Sequence, residues 1–179
     1  MRFVKTPLEG AFIVEMEPIE DERGFFARSF CVDEFKQLGL DSNIAQCNVS
    51  FNRKAGTLRG MHFQIEPHEE ARLVRCTMGS IFDVIVDIRE TSPTRYQWFG
   101  NELTSENRLG LFVPAGFAHG FQTLEGNCEV TYQMSASYHP ASTRGLRWDD
   151  PKLGIRWPLV DRIISERDRG FALLSEVVE

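Results

Sequence analysis

A chain of 179 residues with 42% apolar side chains is long enough to bury one hydrophobic core, which predicts a single domain over residues 1–179. The net charge of −6 argues against nucleic acid or an anionic membrane surface as the main partner. No apolar run reaches the roughly 20 residues that cross a bilayer, and the first residues lack the apolar stretch of a signal peptide. We therefore expect a cytoplasmic protein without a membrane anchor.

The first elements along the chain are short strands and one helix. Short apolar or alternating segments lie between turn residues, a pattern typical of an all-β sandwich or barrel. Residues 21–26 form a charged turn that runs into aromatic residues. A short helix is expected to follow Asp33, a candidate N-cap, and to end at Gly39. Residues 81–89 form the clearest strand, and its two aspartates share one face.

The second half continues the β pattern. Residues 110–113 run into a proline, and residues 128–134 alternate clearly between apolar and polar side chains. The tail over residues 165–177 mixes charged and apolar residues and predicts a further helix. The sequence therefore predicts an all-β sandwich or barrel, with a few short helices at its periphery.

Two segments each place a histidine beside a glycine in an apolar, strand-forming context. They are residues 59–64 and residues 114–121, and their histidines, His62 and His119, are far enough apart to lie on facing strands of one barrel. The second segment has the Pro-x-Gly-x-x-His pattern of cupins. In the first, Gln64 stands where a cupin carries the second histidine of a His-x-His metal site. A barrel pocket that keeps histidines without a metal cage predicts acid–base chemistry on a small ligand.

His62 is the candidate general base. Arg72 and Arg75 lie on the next predicted strand, and nearby cations favour the neutral imidazole that a base requires. A carboxylate behind the ring would fix its tautomer and stabilise the imidazolium. The sequence leaves Asp83 and Asp168 both open as that partner.

Tyr132 is the candidate acid. A base and an acid on opposite faces of a bound ring are able to exchange a proton across it. His119 is assigned a supporting or binding role, since the turn before it also has a structural use for a hydrogen-bonding side chain. Tyr138 either stacks on an aromatic ligand ring or covers the core.

The charged turn over residues 21–26 has two interpretations. It is either a solvated hairpin or a phosphate grip, in which Arg23 acts with Arg59 and Arg167. Residues 46–50 direct polar side chains onto one face, which suits the lining of a pocket.

Metal or cofactor chemistry is not predicted. The chain has no His-x-His, His-Glu-x-x-His or Cys-x-x-Cys pattern, so we expect no metal, no organic cofactor and no redox dithiol. The cysteines are expected to be free thiols. They are Cys31, Cys47, Cys76 and Cys128.

Ordered motifs along nearly the whole chain resemble those of the dTDP-4-dehydrorhamnose 3,5-epimerase family, a branch of the cupins. The similarity extends from about Phe3 to about Asp168. The matching segments are residues 21–26, 46–50, 58–64, 73–75, 83–89, 92–94, 114–121, 144–151 and 165–168.

This resemblance implies a site and a reaction. The catalytic base falls on His62, oriented by Asp168, and the proton donor falls on Tyr132, with Tyr138 stacked on the thymine. The base removes a proton beside the C4 ketone of a nucleotide-linked hexose, and the acid returns one to the opposite face. The substrate contacts fall on Arg23, Phe26, Gln46, Asn48, Arg59 and His119.

The resemblance further implies a β jelly roll and a homodimer with exchanged N-terminal strands. It also implies a dTDP-linked sugar as substrate and the absence of any metal or cofactor. We therefore predict 3,5-epimerisation of dTDP-4-dehydro-6-deoxyglucose to dTDP-4-dehydrorhamnose.

Three positions depart from the family pattern. Arg72 replaces a lysine that helps to hold the enolate, Arg28 replaces a glutamate near the nucleotide end, and Thr143 replaces another glutamate. Arg72 is thus a catalytic candidate, and Arg28 and Arg167 are binding candidates. The alternatives are a 3- or 5-mono-epimerase, a ketoisomerase on a related nucleotide sugar, or a cupin that binds such a sugar without turning it over.

Overall fold

The computed structural model describes the backbone of residues 1–177 and the side chains of residues 1–175. Strands dominate this part of the chain, as its β-branched and aromatic residues predict. The strands are β1 Arg2–Lys5, β2 Phe12–Glu15, β3 Ile19–Asp21, β4 Gly24–Phe26, β5 Gln46–Asn52, β6 Leu58–Gln64, β7 Arg72–Met78, β8 Ser80–Asp87, β9 Trp98–Thr104, β10 Gly110–Val113, β11 Phe117–Thr123, β12 Cys128–Met134 and β13 Thr143–Gly145. The α-helices are α1 Val32–Gln37, α2 Glu166–Arg169 and α3 Leu174–Val177.

Two antiparallel sheets form the body of the fold. The larger has the strand order β1-β2-β10-β7-β12-β5, and the smaller has the order β13-β6-β11-β8-β9. Strands β3 and β4 pair only with each other, as a separate hairpin. The predicted all-β jelly roll with short peripheral helices is confirmed.

Three layers of apolar side chains hold the sheets. The central cluster joins residues of both sheets, for example Val74 of β7 with Ile85 of β8 and Phe121 of β11. A second cluster covers the outer face of the smaller sheet with C-terminal segments, including Trp157. A third places Phe35 of α1 against the larger sheet. Because both faces of the smaller sheet are covered, its strands are rigid supports for any site that they carry.

The helix near Asp33 starts earlier than predicted. Its N-cap is Cys31, so Asp33 is not the cap but lies inside the first turn, where its charge is favourable. Burial of Phe35, which is 1% exposed, sets the phase of the helix. The helix ends before Gly39, as predicted, and Gly39 adopts a φ of +70° that suits glycine.

Two other predicted elements also have different bounds. The clearest strand, β8, ends at Asp87 and not at Arg89, because the Arg89 guanidinium folds back to donate to the Asp87 carboxylate at 2.7 Å. The C-terminal tail forms two short helices, α2 and α3, in place of one. The first has Ser165 as its N-cap, and the Ser165 hydroxyl accepts the amide hydrogen of Asp168 at 3.1 Å. None of the helices in residues 1–177 is long or apolar enough to cross a membrane.

Candidate active site

A cavity of about 290 Å³ opens between the two sheets. Strands β6 and β11 of the smaller sheet form one wall, and β5, β7 and β12 of the larger sheet form the other. Polar side chains converge there within an apolar frame, which is the usual composition of a small-molecule pocket. The predicted site residues that line it are Asn48, Arg59, His62, Arg72, His119, Tyr132, Tyr138 and Arg167.

His62 contacts a buried carboxylate from α2. Its Nε2 lies 2.9 Å from Oδ1 of Asp168, so Asp168 is the carboxylate behind this ring. The amide of Gly60 donates to the other Asp168 oxygen at 3.1 Å. Burial disfavours the Asp168 anion, but the hydrogen bonds from His62 and Gly60 outweigh that effect and lower its pKa. A neutral His62 that donates from Nε2 keeps a lone pair on Nδ1, as a general base requires.

The two glycine–histidine segments lie on neighbouring strands of one sheet and do not face each other across the barrel. His119 of β11 stands opposite His62 of β6 in the antiparallel register. The glycines permit this close approach, since a Cβ on Gly60, whose φ is +131°, would lie 2.6 Å from the Gly120 Cα. The histidines are therefore held on one wall by tight backbone contact.

Tyr132 lies on the opposite wall, on β12. Its ring centre is 6.1 Å from that of His119, in an edge-to-face arrangement. Burial and the nearby Asp83 carboxylate raise the pKa of Tyr132 above its usual value. The phenol thus stays protonated near neutral pH, as a proton donor must.

Arg72 and His119 join the two walls. Nη1 of Arg72, on β7, lies 3.3 Å from Nδ1 of His119 on β11, and Nε2 of His119 lies 2.8 Å from Asp83 Oδ1. Arginine has only donors, so Nδ1 of His119 accepts and Nε2 donates to Asp83. Both nitrogens of His119 are thus engaged within the protein. Of the two carboxylates that the sequence left open as partners for His62, Asp83 therefore pairs with His119, and Asp168 pairs with His62.

Arg72 also contacts a buried carboxylate that the sequence analysis did not single out. Glu70 accepts hydrogen bonds from Nε and Nη2 of Arg72, and its other oxygen accepts from the Gln64 amide. Sequence held one signal for this pair. Glu70 and Arg72 are two positions apart at the start of a predicted strand, which places them on one face.

The remaining polar residues surround the mouth of the cavity. Arg59 Nε donates to Asn52 at 2.8 Å, and Asn48 contacts the Met134 sulfur at 3.1 Å. Gln46 does not line the cavity. Its side-chain oxygen instead accepts the amide hydrogen of Tyr138 at 2.7 Å and so holds that residue at the rim.

Besides Gln46, three predicted binding residues lie outside this cavity within one chain. Arg23 and Phe26 are on the exposed β3–β4 hairpin, where Arg23 pairs with Asp21 and Phe26 is 77% exposed. Arg28 pairs with Glu34 of α1 in a separate surface depression. A single copy of residues 1–177 therefore does not bring them to His62.

The expectation that Arg75 acts near His62 is wrong. Alternation along β7 turns Arg75 away from the cavity that Arg72 lines, and its guanidinium donates to the carbonyls of Arg108 and Ser29. Burial lowers the pKa of Arg75 to about 10. Only one of the two arginines predicted to influence the base is therefore in the site.

No group of three or more His, Cys, Asp or Glu side chains among the described residues is arranged to hold a metal ion. The four cysteines are free thiols. Two hydrogen-bonded units include the histidines of the cavity, one around His62 and one around Arg72.

Comparison with known proteins gives consistent matches over the full fold. The family model described as dTDP-4-dehydrorhamnose 3,5-epimerase matches residues 5–176. A protein of that name from Methanothermobacter thermautotrophicus is 47% identical and aligns over 98% of this chain and 95% of its own length.

Two crystal structures of proteins with the same name superpose closely. The one from Elizabethkingia anophelis has a TM-score of 0.96 at 37% identity, over 98% of this chain and 97% of its own. The one from Bacillus anthracis, with TDP and PPi bound, has a TM-score of 0.93 at 39% identity, over 97% of this chain and 99% of its own. With its fold and nearly its full length matched, this chain belongs to the dTDP-4-dehydrorhamnose 3,5-epimerase family.

Proposed function

We propose that this protein converts dTDP-4-dehydro-6-deoxyglucose to dTDP-4-dehydrorhamnose by inverting C3 and C5. The observation that carries the proposal is the position of His62 and Tyr132 on opposite walls of one cavity. A flat enolate between those walls meets a base on one side and an acid on the other. Inversion at carbon needs that arrangement.

The first step is proton abstraction by His62. The C4 ketone acidifies the hydrogens on C3 and C5, and Nδ1 of the neutral imidazole accepts one of them. The electron pair of the broken C–H bond moves into the enolate, whose oxygen carries the negative charge. Asp168, at 2.9 Å from Nε2, stabilises the imidazolium that forms. A positioned general base of this kind contributes about 10²- to 10⁴-fold to the rate.

Arg72 is the proposed donor to the enolate oxygen. Arg72 is 8% exposed, and water screens a charge little at such a depth. A cation fixed before the reaction stabilises developing negative charge without reorganisation. His119 and Asp83 hold this cation from the side of β11.

Tyr132 completes the inversion. Its phenol gives a proton to the face opposite His62, which forms the new C–H bond and leaves a phenolate. The phenolate then takes a proton from solvent, and the imidazolium returns its proton to solvent. The same sequence at the second carbon gives the doubly inverted product.

The nucleotide end is proposed to lie at the cavity mouth. Arg59 and Arg167 supply positive charge suited to a diphosphate, and Tyr138, which is 52% exposed, presents a ring for stacking on thymine. The relative from Bacillus anthracis with TDP and PPi bound supports a nucleotide ligand for this fold.

We further propose a homodimer in which the β3–β4 hairpin of each copy completes the site of the other. The hairpin pairs with no other strand among residues 1–177, and its aromatic side chains are exposed, as Phe25 at 44% and Phe26 at 77% show. Exchange of the hairpin would bring Arg23 and Phe26 to a nucleotide held in the second copy.

Subunit complementation tests this exchange. The His62→Asn variant should be inactive and Arg23→Ala strongly weakened when each is purified alone. Co-expressed, they should regain up to about a quarter of wild-type activity, because half of the dimers then contain one intact site. Activity no higher than the average of the two separate variants would contradict hairpin exchange.

The proposed reaction is tested by incubation with dTDP-4-dehydro-6-deoxyglucose in heavy water. Each reprotonation takes its hydrogen from a group that exchanges with solvent, so the product should carry deuterium at both C3 and C5. Mass spectrometry measures the number of deuterons, and NMR measures their positions and the configuration. Deuterium at one carbon would make the protein a mono-epimerase. A moved carbonyl would make it a ketoisomerase, and binding without uptake would make it a binding protein.

A further inference from the structure

Glu70 is a buried carboxylate with no part in the reaction derived above. Its side chain is 3% exposed. It lines the cavity but forms no hydrogen bond with His62 or Tyr132. We propose that Glu70 is a positioning residue that aims Arg72 at the enolate oxygen, an inference that rests on the proposed epimerisation. Such a carboxylate would allow an arginine to act as the donor to the enolate oxygen at a position where the family resemblance implies lysine.

The hydrogen bonds divide the Arg72 guanidinium into a held edge and a free end. Nε, at 3.1 Å, and Nη2 both donate to Oε1 of Glu70. Nη1 lies on the other side, 3.3 Å from Nδ1 of His119. Because the guanidinium is planar, fixing one edge fixes the direction of the whole group. One hydrogen of Nη1 donates to His119, so the other hydrogen of Nη1 and the outer hydrogen of Nη2 are left for the cavity.

Glu70 is itself prevented from rotating. Its second oxygen accepts from Nε2 of Gln64, and the side-chain oxygen of Gln64 accepts the amide hydrogen of His139 at 2.6 Å. Nε2 of Gln64 also donates to the carbonyl of His68 at 2.9 Å. Gln64, at the position of a cupin metal ligand, therefore serves here as the anchor of the Glu70–Arg72 pair.

A competing carboxylate makes this anchoring necessary. Oδ2 of Asp83 is buried and accepts no hydrogen bond from the described residues. Asp83 is also next to Arg72 in the network, since both contact His119. An arginine released by Glu70 would be drawn toward this unpaired oxygen, away from the enolate.

A lysine at this position would respond to Glu70 in the opposite way. The ammonium is a point charge on a flexible chain and has no second edge to present. With Glu70 in place, it would form an ion pair there and leave the enolate without its cation. With glutamine at position 70, it would be free to reach the cavity.

The test measures kcat and KM for the dTDP-sugar in two single variants. Glu70→Gln should lower kcat about 10- to 100-fold and leave KM within about threefold of wild type. The orientation of Arg72 toward the enolate oxygen matters mainly in the transition state, where the negative charge develops. Glu70→Asp keeps the negative charge on a side chain that is one methylene shorter. Its kcat should lie between that of Glu70→Gln and that of wild type. The control is Glu69→Gln, an exposed neighbour, which should retain wild-type kcat.

A double variant separates positioning from a merely structural role. Arg72→Lys should have a lower kcat than wild type. The double variant with Glu70→Gln should have a kcat at least about tenfold higher than Arg72→Lys alone. A residue needed only for folding would give additive losses in kcat. Equal kcat for Glu70→Gln and wild type, or a double variant slower than Arg72→Lys, would overturn the inference.

An NMR measurement keeps the test independent of the proposed function. The Arg72 Nε–H proton should exchange slowly with water in the wild type and rapidly in Glu70→Gln, in samples with matched thermal unfolding. A wild type that turns over no hexose would refute the proposed epimerisation. Rapid exchange in the wild type would refute the Glu70 anchor itself.

Discussion

Replacement of His62 with asparagine should lower kcat by about 10³-fold or more, while the affinity for dTDP changes by less than about 1 kcal/mol. The imidazole acts on the reacting carbon and not on the nucleotide, so its loss is felt in the transition state. Asparagine is similar in size and is still able to contact Asp168, so the surrounding wall should stay intact. Steady-state kinetics measures kcat, deuterium uptake in heavy water measures proton abstraction, and calorimetric titration measures the affinity for dTDP.

The matched control is His68→Asn. His68 stacks on His139 at a ring separation of 3.9 Å and does not line the cavity, so this variant should retain turnover. Near-normal turnover in His62→Asn would mean that His62 is not the base. A parallel loss of dTDP affinity would mean that the ring serves binding instead of proton transfer.

Replacement of Tyr132 with phenylalanine should separate proton exchange from inversion. Without the phenol, His62 still forms the enolate, and reprotonation from its own face returns the starting configuration. The variant should therefore incorporate solvent deuterium into the substrate at a substantial rate but form inverted product at least about 10²-fold more slowly. NMR of recovered substrate and product in heavy water measures both rates.

The comparison variant is Tyr96→Phe. The Tyr96 hydroxyl is outside the cavity and accepts a hydrogen bond from Arg95 at 2.8 Å, so both rates should remain at their wild-type values. If Tyr132→Phe lost exchange and inversion equally, the phenol would be acting in enolate formation and the acid would have to be another group.

The sequence by itself was sufficient for the fold class and for several strands. The alternation in residues 128–134 coincides with β12, and residues 110–113 coincide with β10. A strand buries one face at period two whatever its partners are, so this pattern is readable locally. The glycine–histidine segments could also be identified from the sequence, because only glycine allows the close backbone contact beside His62.

The ends of the helices and their capping residues were predicted less well from the sequence. Asp33 has the chemistry of an N-cap, but the helix begins after Cys31 because Phe35 must pack against the larger sheet. Local hydrogen-bonding preference gave way to the burial of one aromatic ring. Burial of a large side chain stabilises by about 2 kcal/mol, more than a typical cap.

The identity of chemical partners was decided only by the tertiary structure. Asp83 and Asp168 are equivalent in the sequence as partners for His62, yet one lies against His119 and the other against His62. Arg72 and Arg75 likewise differ only in which face of β7 they occupy. Hydrogen bonds act over about 3 Å, and the residues they join here are up to 108 positions apart in the chain, as Gly60 and Asp168 are. The sequence thus determined which chemistry the chain carries, and the packing of the two sheets decided which groups perform it together.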